Sequence, residues 1–232
     1  MIHPLFGLSK VNFGICVILL LFALPLRAQT IHYLPLGDSY TICEGMKEED
    51  CWVSMLTRDL NNKGLKVTLL QNPSKTGYTT DDLIENELPL LNTYPDIEFV
   101  TLLIGVNDWI QGTDTTTFHM KLAVILDKIQ FKLTKKNNLL LVTIPDFSAA
   151  PRGKSYSHGK SITQGISQFN EIIKAEAQAR SLAVADIFPL TQKMEGKTEL
   201  VSADGLHPSA KEYRLWEEIL APLAEKLLKE KP

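Results

Sequence analysis

Four short stretches carry residue types that could do nucleophilic chemistry. "LPLGDSYTICEG" (Leu34 to Gly45) places Ser39 just after a Gly-Asp pair, and "SKTGYTT" contains Gly77. "IGVND" holds Gly105, Asn107 and Asp108, and "SADGLHPS" holds Asp204 and His207. A serine hydroxyl is a weak nucleophile until a base takes its proton; imidazole suits that task, and a carboxylate fixes the imidazole tautomer. Asp204 stands three residues before His207, so one turn of loop can bring its carboxylate against Nδ1. On its own stretch Ser39 has two readings, a nucleophile or the N-cap of a helix, and the cap is the commoner fate of a turn serine. His158 is a rival base, yet no acid lies near it in the sequence. His32 and His119 sit in strand-like and helix-like patterns that suit packing or surface roles, while Asp38 and Asp108 read as turn-stabilising acceptors. Trp109 is open between lining a pocket and packing in the core.

These stretches need elements to hold them. "IHYLPL" (Ile31 to Leu36), "KVTLL" (Lys66 to Leu70), "IEFVTLLI" (Ile97 to Ile104), "NLLLVTI" (Asn138 to Ile144) and "LAVADI" (Leu182 to Ile187) read as strands. "WVSMLTRDLNNKG" reads as a helix ending at Gly64, "TTDDLIENEL" as a short one stopped by Pro89, and "ISQFNEIIKAEAQAR" as another. From Thr116 to Lys136, Phe118, Leu122, Ile125, Leu126, Ile129 and Leu133 recur at helical spacing. Ser209, with Glu212 three residues on, starts a final helix that Pro222 should kink or break. Strand and helix alternate throughout, which argues for a parallel sheet with right-handed crossovers and helices on both faces. In such a sheet ligands bind at the carboxyl ends of the strands, where all four stretches fall. Pro145 to Gly165 is the exception, about twenty residues without periodicity, and loops of that length are often functional.

The four blocks together resemble the SGNH (GDSL-like) hydrolases: a GDS motif after the first strand, a glycine after the second, G-x-N-D after the third, and D-x-x-H before a C-terminal helix. They occur in family order and span Gly37 to His207. The resemblance implies a single-domain, flavodoxin-like three-layer α/β/α sandwich acting as a serine ester hydrolase. It also implies Ser39 as nucleophile, His207 as general base and Asp204 as its orienter, with an oxyanion hole from the N–H groups of Ser39 and Gly77 and the side-chain amide of Asn107. A glycine at position 77 would let the donor backbone approach a tetrahedral intermediate closely. The departure is Cys43, where many relatives continue the loop with glycine. Two "GKS" triplets, Gly153 to Ser155 and Gly159 to Ser161, lack the glycine five positions earlier that a phosphate loop requires. The G-x-S-x-G elbow of α/β-hydrolases is absent as well.

A chain of 232 residues that is 44% hydrophobic and 22% charged can bury a sizeable single core. Its formal charge of -3 supplies no basic stripe for nucleic acid. Lys10, the apolar run Val11 to Leu26 and "RAQT" read as a secretory signal over residues 1–28 with cleavage near Ala28, leaving one domain over 29–232; an uncleaved anchor is the alternative. Export would leave Cys43 and Cys51 as the cysteines of the mature chain, a candidate disulfide across "EGMKEED", with two free thiols as the other reading. Their spacing matches no zinc pattern, and no metal or cofactor is expected. The expected partner is a small-molecule or carbohydrate ester, with no nucleic acid and no stable membrane insertion after cleavage. Short acyl esters fit the polar loop around Arg152, Lys154 and His158; the alternatives are a lysophospholipase or thioesterase, and a catalytically silent binding protein on the same fold.

Overall fold

The computed structural model describes residues 30–230, so the expected signal segment lies outside the described residues. The five apolar runs form parallel strands: β1 (Ile31–Gly37), β2 (Val67–Leu69), β3 (Phe99–Leu103), β4 (Leu139–Val142) and β5 (Ala183–Ala185). Their order in the sheet is β2-β1-β3-β4-β5, and every neighbouring pair is parallel. Leu34 lies opposite Val100 and Leu36 opposite Leu102. All residues of β3 and β4 are buried, which explains why both segments read as unbroken apolar runs.

The helices are α1 (Ser39–Ile42), α2 (Trp52–Asn62), α3 (Thr80–Asp82), α4 (Val106–Ile110), α5 (Thr115–Lys132), α6 (Ile162–Arg180), α7 (Phe188–Thr191) and α8 (Ala210–Lys229). α2 packs on α8 and α5 on α6, which gives two helical layers enclosing the sheet. The large buried side chains belong to these contacts: Trp52 and Trp216 come from α2 and α8, while Phe118 and Phe169 stack at 4.1 Å between α5 and α6. This is the flavodoxin-like order, and the chain reverses its direction of travel across the sheet between β1 and β3. A crevice opens at such a switch point. Ser39 follows β1 and Asn107 follows β3, so the topology alone sets them on either side of it.

Two expectations about proline need correction. The segment after Asp82 does not stop at Pro89: it continues as a widened π turn (Leu83–Glu87) and then a tight 3-10 segment (Leu88–Asn92). Pro89 occupies the first turn of that segment, where a missing N–H costs nothing. Pro222 neither breaks α8 nor ends it. It lies on the exposed side of the helix, where the Glu218 carbonyl that loses its donor can bond water. The region from Pro145 to Gly165 is also more ordered than expected. It contains 3-10 turns at Phe147–Ala149 and Gly153–Tyr156, and α6 begins at Ile162 with Ser161 as its cap.

Candidate active site

At the end of β1, Gly37 has no room for a side chain, because an added Cβ would fall inside contact distance of the Leu103 carbonyl and the Thr41 hydroxyl. The chain then turns through Asp38, whose side chain caps α1 by accepting the Tyr40 N–H at 3.0 Å. The cap is therefore Asp38, and Ser39 is the first residue of the helix. Neither the Ser39 hydroxyl nor its N–H has a hydrogen-bond partner among the described residues. Burial pushes the Asp38 carboxyl up to about 8 against the Tyr40 N–H, and the neighbouring Asp108 adds to the rise.

His207 and Asp204 lie in the loop before α8. The His207 ring meets the Tyr40 ring edge-on with centroids 5.5 Å apart, which puts the imidazole beside the residue next to Ser39. His207 Nδ1 is 2.6 Å from Asp204 Oδ2. The other carboxylate oxygen, Oδ1, accepts the Ser202 hydroxyl at 2.6 Å and the N–H groups of Leu206 at 2.7 Å and His207 at 2.9 Å. Partial burial alone would raise the Asp204 carboxyl; the Ser202, His207 and Leu206 donors outweigh it and hold the group well below the usual carboxylate range. An ionised carboxylate can only accept, so Nδ1 carries the hydrogen and Nε2 is left with a lone pair. No hydrogen bond joins His207 to Ser39; contacts of this kind commonly tighten when substrate binds.

The third wall comes from the segments after β2 and β3. Asn107 donates one amide hydrogen to the Tyr78 carbonyl at 2.9 Å, which orients the side chain and leaves its second hydrogen available. Asp108 is buried and accepts the N–H of Thr80 at 2.9 Å and the Thr80 hydroxyl, so it braces a segment 28 residues away instead of its own turn. Asn72 donates to the Thr41 carbonyl at 2.8 Å, and Thr76 bonds Glu44. Gly77 is thus held between α1 and α4, and its N–H has no partner among the described residues. Its φ of +87° favours glycine, and a Cβ there would meet no protein atom within 4 Å.

The remaining expectations sort themselves. Cys43 and Cys51 form a disulfide with a Cα–Cα distance of 5.4 Å. His158 is exposed and has no carboxylate partner among the described residues, whereas His32 lies 3.1 Å from Glu98 and His119 lies 2.6 Å from Glu176. Trp109 packs edge-on against Phe147 at 5.9 Å and is half-buried, so it both packs and lines a surface cleft with Gly112 and Gln164. Sequence reasoning missed Ser202 and Glu87, and it gave Arg152 only as part of a polar loop. Arg152 donates to the Asp204 carbonyl at 3.0 Å and its backbone N–H bonds Gly205, which ties the long loop to the loop bearing His207. Ser202 had a signal, a hydroxyl two residues before the key aspartate.

The chain is similar to proteins of known family. The chain is 25% identical over 205 residues to Esterase TesA of Pseudomonas aeruginosa, an alignment covering 88% of this chain and 92% of that one. Among solved structures it resembles a Clostridium thermocellum family 3 carbohydrate esterase (TM-score 0.67, 21% identity, 87% and 100% of the two chains). It also resembles Axe2, an acetylxylan esterase from Geobacillus stearothermophilus (TM-score 0.63, 16% identity, 89% and 98%). Residues 36–215 match the GDSL-like lipase/acylhydrolase family, and that match spans all four sequence blocks. The chain therefore belongs to the GDSL-like lipase/acylhydrolase family and is a serine ester hydrolase.

Proposed function

We propose that the protein is an exported esterase that removes short acyl groups, with O-acetyl groups on carbohydrate as the substrate class. Ser39 is the nucleophile, His207 the general base and Asp204 its orienter. His207 Nε2 takes the proton of the Ser39 hydroxyl as Oγ attacks the ester carbonyl. The N–H groups of Ser39 and Gly77 and the free amide hydrogen of Asn107 receive the oxyanion, each donor of this kind contributing about 2.7 to 4 kcal/mol. The intermediate collapses with transfer of the proton from His207 to the leaving alkoxide, which leaves acyl-Ser39. Water, deprotonated by the same imidazole, then releases the carboxylic acid and restores the serine.

The observation that carries this reading is the Asp204–His207 pair: a short contact to Nδ1 from a carboxylate fixed by three further donors. Short acyl specificity is supported by the polar loop Pro145 to Gly165, whose Arg152 reaches the Asp204 loop, and by the names of the two carbohydrate-directed relatives. Export is supported by the signal-like residues 1–28 and by the disulfide, a bond that persists in oxidising compartments. One feature bears on a longer acyl chain: a cleft of about 420 Å³ that begins one helical turn from Ser39 has Ile42, Met46, Val53, Leu69 and Leu70 on its walls, with Glu48, Ser54, Gln71 and Asn72 among them. Hydrolysis of p-nitrophenyl acetate, butyrate, octanoate and decanoate below micelle-forming concentrations separates the two. Each CH₂ buried in a real acyl channel is worth about 0.8 kcal/mol. A fall in kcat/KM beyond butyrate supports the short-acyl reading, and a monotonic rise to decanoate rejects it.

A further inference from the structure

Directly beneath the nucleophile turn lies a carboxyl group that the mechanism above does not use. Glu87 ends the π turn that precedes Pro89 and has no exposed surface. Its Oε2 accepts the Gly37 N–H at 2.9 Å, across 50 residues of sequence, and its Oε1 has no partner among the described residues. Gly37 is the last residue of β1, and Asp38 and Ser39 follow it. Asp38 is buried completely as well, and among the described residues neither its Oδ2 nor the Thr41 hydroxyl beside Gly37 has a partner.

We propose that Glu87 is a positioning residue for Ser39, its carboxyl clamping the Gly37 N–H so that the Asp38–Ser39 turn is held at the end of β1. The role rests on Ser39 being the nucleophile and adds to it the group that fixes its backbone. The charges facing Glu87 explain the form in which it works. Asp38 approaches from the nucleophile turn, Asp108 of α4 and the buried phenols of Tyr40 and Tyr213 lie near Asp38, and Lys121 of α5 is ion-paired with Asp81 and acts on Asp108. No cation among the described residues neutralises Glu87, and burial pushes its carboxyl up to about 9 against the Gly37 N–H, with Asp38 adding to the rise. At neutral pH Glu87 is therefore a neutral acid that accepts through its carbonyl oxygen. Asp38 and Glu87 lose their protons in two steps, and the second leaves two adjacent carboxylates under the nucleophile. Activity falls at that step.

The test compares wild type, Glu87→Gln and Glu87→Leu between pH 6 and 9.5, following p-nitrophenyl ester turnover and the rate of Ser39 labelling by a fluorophosphonate. Glutamine keeps the acceptor and cannot ionise. Glu87→Gln should stay within about threefold of wild type at pH 7 in kcat and KM and lose the alkaline decline. Glu87→Leu leaves the Gly37 N–H unpaired and should lower kcat on the order of 100-fold, with KM within about threefold. Thermal melts check that each variant folds; if the leucine variant does not, the glutamine pH profile decides. An alkaline limb unchanged in Glu87→Gln, or wild-type kcat in a folded Glu87→Leu, overturns the proposal. A wild type that neither hydrolyses esters nor labels at Ser39 instead rejects the esterase reading and the Glu87 role with it.

Discussion

Reducing the Cys43–Cys51 bridge should destabilise the protein by an amount that its loop length sets. The two half-cystines are 8 residues apart in sequence, so the cross-link closes a small loop in the unfolded chain. Chain-entropy scaling for a loop of that size gives about 2.5 kcal/mol at 25 °C, or a drop in melting temperature of roughly 5–10 °C for a domain of this size. Reduction is a cleaner perturbation than replacement, because it breaks the cross-link and leaves both buried side chains in place. Both sulfur-bearing residues are buried, so the reductant must act on the unfolded state and the protein must be allowed to equilibrate. Urea unfolding curves with and without dithiothreitol, read by tryptophan fluorescence, give the difference. A loss above about 5 kcal/mol would show that the bridge holds native packing around Trp52 instead of restricting the unfolded chain. No loss would refute the reasoning outright. Because the bridge flanks α1, the reduced protein should also show lower kcat on p-nitrophenyl acetate.

Gly37→Ala should cost about 3 kcal/mol or more, since the new methyl group would press on the Leu103 carbonyl and Thr41; wild-type urea stability in the variant would contradict the crowding. Asp204 is held below its ordinary range, so the stability it contributes is fully present above about pH 4 and is lost as pH falls toward its folded value. The stability gap between wild type and Asp204→Asn should therefore be open at pH 7 and narrow by pH 3, and a gap independent of pH would refute the assignment of that carboxylate. Ser39→Ala and His207→Ala should each remove nearly all turnover and the double variant should be no worse, while His158→Ala stays active; the reverse result for the two histidines would move the base.

Much of the sheet was legible because a strand buried on both faces leaves a continuous apolar run, as in Phe99–Leu103 and Leu139–Val142. The long helices were legible through their periodicity, and Gly64 with φ +84° closes α2 where a helix-ending glycine was expected. Proline misled twice, because its cost depends on whether the lost bond faces solvent or a first turn, and the sequence does not record which. At the site, Asp204 and His207 were readable because their contact is local, three residues apart. Asp108 was misjudged because its partner Thr80 lies on another connection. Glu87 was invisible for the same reason: in "TTDDLIENEL" it looks like one more charge on a solvated face, and only the fold carries it under Gly37.

The central claim is that Ser39 is a nucleophile activated by His207. Incubating the folded protein with a fluorophosphonate and mapping the adduct by mass spectrometry tests it most directly. A single stoichiometric adduct is expected on the peptide containing Ser39, absent in Ser39→Ala and slowed on the order of 1,000-fold or more in His207→Ala. An adduct on another residue, or labelling of Ser39 at an unchanged rate without His207, would contradict it.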